Sequence, residues 1–120
     1  MRRGHVVAVN LDPAASGEAS KTRPCLVVSN DGANEAADLM GRGTITIVPL
    51  TTNVTNARGE FQVLVDDGEA LESMGLSSTS KVQAEQVRTV SVERVAGIRG
   101  LAPGWVMQQV DHALRFHLSL

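Results

Sequence analysis

The segment Thr44-Ile45-Thr46-Ile47-Val48-Pro49-Leu50-Thr51 is the clearest strand signal in the sequence. Threonine alternates with isoleucine over its first four residues, as expected when one face of a strand is buried and the other is more polar. Because proline has no backbone N–H, we expect Pro49 to lie on an edge strand or at a bulge. The segment therefore predicts a β-strand that ends at hydroxyl side chains.

Other short apolar segments flank this strand, separated by clusters of Gly, Asn and Asp. They predict further strands over residues 5–11, 25–29, 60–65 and 81–90. The segment 81–90 places polar side chains within an otherwise apolar row, which fits a register bulge or a barrel rim on the one hand, or a functional face on the other. The connections 31–43 and 66–79 each permit a helical turn.

The C-terminal segment has a helical period instead. Apolar residues recur there at spacings of three and four, namely Val106, Met107, Val110, Ala113, Leu114 and Leu118. This stripe predicts an amphipathic helix, with Pro103 suited to its first turn. Short strands followed by one helix predict a mainly β (α+β) fold, a small curved antiparallel barrel capped by the helix.

Size and composition indicate a single domain over residues 1–120. A chain of 120 residues with 42% apolar content can bury one core but not two independent ones. No segment approaches the ~20 consecutive apolar residues of a membrane span, and the first residues lack the apolar region of a secretion signal. We therefore expect a soluble, cytoplasmic protein without membrane contact.

The charge balance argues for local rather than general anion binding. The net charge is −2, but nine of the eleven basic residues are arginine, whose planar fork suits phosphate oxygens. Aromatic residues make up only 2%, which disfavours modules that bind single strands by stacking bases on aromatic side chains. Any contact with nucleic acid must then come from a local cluster.

The sequence gives no sign of a metal or cofactor. The single cysteine, Cys25, lies in an apolar run and is expected to be core filler. The three histidines, His5, His112 and His117, have no metal-site spacing. We expect neither a metal nor a cofactor.

Two polar segments remain as candidate sites. Residues 17–24 lead directly into the apolar second strand, so Arg23 has its backbone fixed while its fork is free to point into a cleft; an incidental arginine on a solvated loop is the alternative. The step Thr51-Thr52-Asn53 places hydroxyls at the end of an apolar strand, although alone it is an ordinary strand terminus.

Several motifs, in order and at compatible spacing over nearly the whole chain, resemble the MazF/PemK toxins. They are Arg3-Gly4, Leu11-Asp12-Pro13, Thr22-Arg23-Pro24, Leu26-Val27-Val28-Ser29-Asn30, Val48-Pro49-Leu50-Thr51, Glu85-Gln86-Val87-Arg88-Thr89 and Val110-Asp111-His112-Ala113-Leu114-Arg115. The resemblance implies an SH3-like barrel with a C-terminal helix, working as a homodimer. It also implies cleavage of single-stranded mRNA without a metal, under control of a MazE-like antitoxin.

The resemblance places the family's catalytic arginine at Arg23 and its catalytic threonine at Thr51. It places the family's loop glutamate at Glu18 and a position of its Glu-Gln motif, substrate-lining or structural, at Gln86. Lys21 and Thr52 are further candidate substrate contacts. Lys21 stands where the family commonly has glycine and adds a candidate phosphate contact. Because neighbouring side chains of a strand point to opposite faces, we expect only one of the two threonines to reach the cleft beside Arg23.

One further departure from the family concerns the final helix. Ala102 stands where relatives often have Ser, Thr or Asp before the helix proline, so a weakly capped start is expected.

The implied chemistry uses the 2′-hydroxyl of the RNA as nucleophile. Arg23 then stabilises the charged phosphate and Thr51 donates a hydrogen bond, while the base is Arg23, Glu18 or water. Two other classes remain as alternatives: a CcdB-like gyrase inhibitor, disfavoured because the chain has no tryptophan near its C-terminus, and an SH3-like interaction module.

Overall fold

The computed structural model describes residues 1–11, 22–56 and 59–120. Its strands are β1 (His5–Asn10), β2 (Thr22–Val27), β3 (Thr44–Thr51), β4 (Gln62–Val65), β5 (Ser80–Gln83), β6 (Arg88–Ser91) and β7 (Val95–Leu101). Its α-helices are α1 (Asp31–Met40), α2 (Gly68–Ser73) and α3 (Gly104–Leu118). Short 3-10 turns lie at Ala84–Gln86 and Val92–Arg94.

The strands form one antiparallel sheet. Its order is β4-β5-β3-β2-β1-β7, and β6 pairs with β3 beside this path. The mainly β fold with a C-terminal helix is confirmed, but within the described residues β4 and β7 do not pair with each other. The expected barrel is therefore wrong in one respect, since the sheet is open rather than closed.

Strand β3 is the centre of the sheet rather than an edge. One side pairs with β2, while the other pairs with β6 up to Ile47 and with β5 from Leu50 onward. Pro49 is buried and lies where this second partner changes, opposite Cys25 of β2. A residue without an N–H is tolerated there because the ladder on that side is already interrupted.

The predicted strand 81–90 is two strands. The chain leaves β5 after Gln83, makes the 3-10 turn Ala84–Gln86 with Ala84 buried, and re-enters the sheet as β6. This break accounts for the polar side chains in the otherwise apolar row; it is a 3-10 turn between two strands rather than a bulge within one. Strand β7 was not predicted, because residues 96–99 are all exposed and give no period of two.

Apolar side chains pack on both faces of the sheet. Neighbours along β1 take opposite sides: Val6 packs with α3, while Val7 and Val9 pack with the cluster that contains Cys25 and Ala37 of α1. Each buried Val or Leu side chain contributes roughly 1.5–3 kcal/mol. The prediction that Cys25 is a core residue is confirmed, since it is fully buried.

Helix α3 confirms the predicted amphipathic stripe, with Val106, Val110 and Ala113 buried. Its N-cap is Pro103, which makes no side-chain capping bond. Ala102 is the residue before this N-cap and is buried. Its N–H donates to the carbonyl of Gly4 at 2.8 Å. The expectation that Ala102 is the cap is therefore wrong by one position.

The other helices lie where helical turns were expected. Asn30 and Asp67 accept hydrogen bonds from backbone N–H groups at the starts of α1 and α2. None of the helices in the described ranges is long and apolar enough to cross a membrane.

Arg3, which belongs to the first of the quoted motifs, connects α3 to the end of β2. Its Nε donates to the carbonyl of Val28 at 2.9 Å, and its terminal nitrogen pairs with Asp111 of α3 at 2.5 Å. Two of the quoted motifs, around Arg3 and Asp111, thus hold the helix on the sheet.

Candidate active site

Arg23 lies in β2 opposite Val9 of β1, near the end of the strand where the side chain is exposed. Two residues further along the same face, Cys25 is fully buried. The strand therefore anchors Arg23 in the sheet while leaving its guanidinium outside the core, as the sequence pattern anticipated.

Arg23 lines a cleft of about 350 Å³, which we call the Thr51 cleft. Its lining residues are Arg23, Pro24, Leu50, Thr51, Thr52, Gly75, Leu76, Ser77, Ser80 and Arg99. The ends of β2 and β3, the segment after α2 and strand β7 all contribute. None of the described residues that line it is acidic.

A second cleft of about 280 Å³ also includes Arg23, and we call it the Gln86 cleft. Its lining residues are Leu11, Arg23, Pro49, Gln83, Gln86 and Arg88. Gln86 is at the end of the 3-10 turn between β5 and β6, so the break in the predicted strand is what presents it there. Arg23 therefore belongs to two adjoining clefts, one with Thr51 and one with Gln86.

Both Thr51 and Thr52 line the Thr51 cleft, whereas we expected only one of their hydroxyls to reach it. The reason is that β3 ends at Thr51, and the alternation of side chains ends with it. The two hydroxyls still differ. The oxygen of Thr51 accepts a hydrogen bond from the backbone N–H of Asn53 at 3.1 Å, whereas Thr52 is exposed.

A buried lysine supports the turn that follows Thr51. Lys81 pairs with Thr51 across the β3–β5 ladder and is only 7% exposed. Its Nζ donates to the carbonyl of Thr55 at 3.2 Å. Buried lysines are rare without a partner, so this contact indicates a structural role in holding the backbone between Thr51 and Thr55.

Two arginines hold the end of β1. The guanidinium of Arg88 donates to the carbonyl of Leu11 at 3.3 Å, and that of Arg94 donates to the carbonyl of Asn10 at 3.1 Å. The next residues, 12–21, lie outside the described part of the chain, and with them the predicted site residues Glu18 and Lys21.

Cys25, two residues after Arg23 in β2, is buried and unreactive. Burial raises the pKa of its thiol to about 12, although the positive charges of Arg88 and Arg23 act in the opposite direction. A thiol with such a pKa is protonated at neutral pH and is therefore a poor nucleophile or metal ligand. Among the described residues, no group of three or more His, Cys, Asp or Glu is arranged to hold a metal.

Arg99, Ser77 and Ser80 are cleft residues that sequence reasoning did not select. Arg99 lies in β7, the strand without an alternating pattern, and the two serines follow α2. The only signal for Arg99 was its basic side chain next to a glycine, which is too common to predict a site.

Two arginines and two threonines line the cleft together with apolar residues such as Leu50 and Leu76. Guanidinium forks and hydroxyl donors suit the oxygens of a phosphate group. A small, mainly β protein with such a cleft has the features of a phosphate-binding or nucleic-acid-binding protein.

A protein-family model of the PemK-like, MazF-like toxins of type II toxin-antitoxin systems matches residues 2–118. The chain belongs to this toxin family. It is 43% identical to the endoribonuclease MazF9 of Mycobacterium tuberculosis over 120 residues, covering 100% of this chain and 98% of that protein. It is 30% identical to the endoribonuclease PemK of Escherichia coli over 111 residues, covering 92% and 76% respectively.

Solved structures show a similar fold. An endoribonuclease from a mycobacterial species, in complex with its cognate antitoxin, superposes with a TM-score of 0.75 at 22% identity, covering 100% of this chain and 96% of that chain. The MazF chain of a MazE–MazF complex from Deinococcus radiodurans gives 0.75 at 24% identity with the same coverage. The relatives are named as endoribonucleases, which does not favour a gyrase inhibitor or a plain interaction module.

Proposed function

We propose that this chain is a metal-independent, sequence-specific endoribonuclease toxin that cleaves single-stranded mRNA in the Thr51 cleft. The supporting observation is that Arg23 and Thr51, from different strands, line one cleft in which no described lining residue is acidic. A phosphodiester is the anion that such a cleft would bind, and family membership names the substrate class.

The proposed reaction is an attack by the 2′-oxygen of a ribose on the adjacent phosphorus. The new bond joins O2′ to phosphorus, and the bond from phosphorus to the 5′-oxygen of the next nucleotide breaks. The products are a 2′,3′-cyclic phosphate and a 5′-hydroxyl. Because the nucleophile belongs to the substrate, the reaction needs no metal-activated water.

Arg23 stabilises the negative charge that grows on the phosphate oxygens in the transition state. Its guanidinium stays charged and can contact two oxygens at once. Thr51 donates its hydroxyl proton in a hydrogen bond to the phosphate or to the departing 5′-oxygen. Loss of one such donor typically costs 10²–10³-fold in rate.

The proton steps require a group that accepts the 2′-proton. An unperturbed arginine is a poor base, so the acceptor is Arg23 in an altered environment, Glu18 or water. The 5′-oxygen takes up a proton as it leaves. A pH–rate profile of Glu18→Gln against the unmodified protein distinguishes Glu18 from the other two.

Substrate binding extends beyond the reacting phosphate. We assign Thr52 to the Thr51 cleft and Gln86 to the adjoining Gln86 cleft, with Glu18 and Lys21 contributing from residues 12–21. Since Arg23 belongs to both clefts, an RNA strand that passes over it would have its neighbouring nucleotides in the two clefts.

We also infer the setting in which the enzyme acts. A related endoribonuclease was solved with its cognate antitoxin, and by family membership we propose that a MazE-like antitoxin inhibits this chain. We propose a homodimer of a single-domain chain spanning residues 1–120, acting in the cytoplasm, where its mRNA substrate is found.

The deciding experiment incubates purified protein with single-stranded RNA in excess EDTA and maps the ends of the products. We expect cleavage at defined sequences, leaving a 2′,3′-cyclic phosphate and a 5′-hydroxyl. Arg23→Ala should cleave at least about 10²-fold more slowly, while Arg42→Ala, on an exposed turn before β3, should cleave normally. A product with a 5′-phosphate, or loss of cleavage when EDTA removes metal ions, would refute the mechanism.

A further inference from the structure

Arg99 is a second guanidinium in the Thr51 cleft, and it comes from a different strand than Arg23. In the sheet, β1 lies between β2 and β7, so the two arginines belong to strands on either side of the same neighbour. Both side chains are exposed. The cleft therefore receives positive charge from two sides of β1.

Neither guanidinium is neutralised within the described residues. The ion pairs there involve Met1 with Asp38 and Arg3 with Asp111, and the cleft lining includes no described carboxylate. By contrast, Arg88 and Arg94 donate to backbone carbonyls. Two like charges in one cleft repel each other, and an anion bound between them removes that cost.

The backbone around Arg99 is fixed by close packing. A Cβ added to Gly75, which has a φ of +68°, would lie 2.4 Å from the carbonyl oxygen of Arg99. A Cβ added to Gly100 would lie 2.3 Å from the carbonyl oxygen of Ser73. The hydroxyl of Ser73 also donates to the carbonyl of Leu101 at 2.6 Å. Arg99 and the two residues that follow it are thus held against the end of α2 and the glycine after it.

The size of the cleft exceeds what one phosphate group needs. A volume of about 350 Å³ is at the lower end of the range for small-molecule sites. By that comparison it can hold a group larger than a phosphate, and a nucleotide is the group of that kind that an RNA strand offers. Within an RNA strand, a nucleotide has a phosphate on each side.

We propose that Arg99 binds the phosphate next to the scissile one, so that Arg23 and Arg99 hold two successive phosphates of the RNA. This inference rests on the proposed nuclease function and adds a substrate-binding residue to it. Arg99 contacts a phosphate whose charge does not change during the reaction. Its contribution is therefore to binding of substrate and transition state alike, rather than to the chemical step.

The test measures binding of an RNA oligonucleotide in which the ribose at the cleaved position is 2′-deoxy, so that it lacks the nucleophile. Arg99→Gln is compared with Arg42→Gln, which removes the same charge from the other end of β3, about 23 Å from Thr51 at ~3.3 Å per residue. We expect about tenfold weaker binding for Arg99→Gln near 0.1 M salt. The slope of log affinity against log salt should fall by about 0.7, the value for one phosphate contact on a single strand. Arg42→Gln should change neither.

Steady-state kinetics on the cleavable RNA give a second readout. Arg99→Gln should raise KM about tenfold with kcat within about threefold, the pattern for loss of uniform binding. A matching fall in kcat would instead assign Arg99 to the scissile phosphate and overturn the proposal. If Arg99→Gln does not fold, Arg99→Met keeps the aliphatic stem and should give the same losses.

Failure of this inference is distinct from failure of the proposed function. If the unmodified protein cleaves RNA while the Arg99 variants bind it with unchanged affinity and salt slope, Arg99 is not a phosphate ligand. If the unmodified protein neither binds nor cleaves single-stranded RNA, the proposed function itself is wrong, and this inference fails with it.

Discussion

The backbone N–H of Asn53 donates a hydrogen bond to the side-chain oxygen of Thr51 at 3.1 Å. In this bond the threonine oxygen is an acceptor, so its own O–H proton is left to donate elsewhere. The contact also restricts where that hydroxyl points. We therefore expect Thr51 to present an oriented donor to the cleft, whereas no hydrogen bond from the described residues fixes the hydroxyl of Thr52.

The two threonines should accordingly differ in their effect on catalysis. We expect Thr51→Ala to lower kcat/KM by about 10²-fold or more, and Thr51→Ser, which keeps the hydroxyl, to stay within about tenfold. Thr52→Ala should also stay within about tenfold. Single-turnover cleavage of a short RNA provides the measurement. If Thr52→Ala loses cleavage activity while Thr51→Ala retains it, the catalytic role belongs to Thr52.

The thiol of Cys25 should be unreactive in the folded protein. Burial raises its pKa to about 12, so almost no thiolate exists at pH 8. Iodoacetamide at pH 8 should therefore alkylate the native protein far more slowly than the urea-unfolded protein, as followed by mass spectrometry. Rapid labelling of the native chain would show that β2 opens readily.

The start of α3 allows a stability comparison between two neighbouring positions. Pro103→Ser places a capping oxygen at the observed N-cap, which adds about 0.5–2 kcal/mol, and loses the proline, which removes about 0.4–1 kcal/mol. The net change lies between about −0.5 and +1.6 kcal/mol and is stabilising at the middle of both ranges. Ala102→Ser instead buries a hydroxyl and should destabilise by about 1–3 kcal/mol. Thermal unfolding gives the order. A higher melting temperature for Ala102→Ser would place the cap at that residue.

His5 should make the stability of the protein depend on pH. Burial first, then the charges of the N-terminal amino group and Arg2, lower its pKa below the usual 6.5. Its Nδ1 also accepts the N–H of Arg2 at 2.8 Å, which requires an unprotonated nitrogen. Below pH 6.5 the unfolded chain then binds the proton more readily, so the stability present above that pH is lost as pH falls.

Urea unfolding at pH 7.5, 6.5 and 5.5 tests this dependence. His5→Gln should reduce the loss of stability between the first and last of these conditions, while His112→Gln, on an exposed position of α3, should retain the full loss. If His5→Gln and the unmodified protein lose the same free energy of unfolding between pH 7.5 and 5.5, groups other than His5 cause the loss.

Alternating side chains predicted β3 to the residue, because a strand with one buried face leaves a period of two in the sequence. The apolar run 25–29 predicted β2 less well, because the strand begins at Thr22 rather than Cys25 and ends at Val27. Thr22 and Arg23 join the sheet through backbone pairing with β1, and their side chains are exposed. Backbone pairing of polar residues leaves no apolar signal to find.

The site was predictable only in part for the same reason. Arg23 and Thr51 were identified through family motifs, and the fold brings them into one cleft. Arg99 belongs to β7, whose exposed side chains and glycines follow no period. Its position depends on the packing of Gly75 against its backbone, which is a contact between residues distant in sequence.

The spread of the cleft residues along the sequence has a consequence for the synthesis of the protein. The walls of the Thr51 cleft come from residues 23–24, 50–52, 75–80 and 99, and β1 obtains its second neighbour only when β7 pairs with it. Translation adds about 5–20 residues per second from the N-terminus onward. A nascent chain that has reached β5 still lacks one wall of its cleft, so the cleft cannot be completed until Arg99 has been translated and β7 has paired with β1.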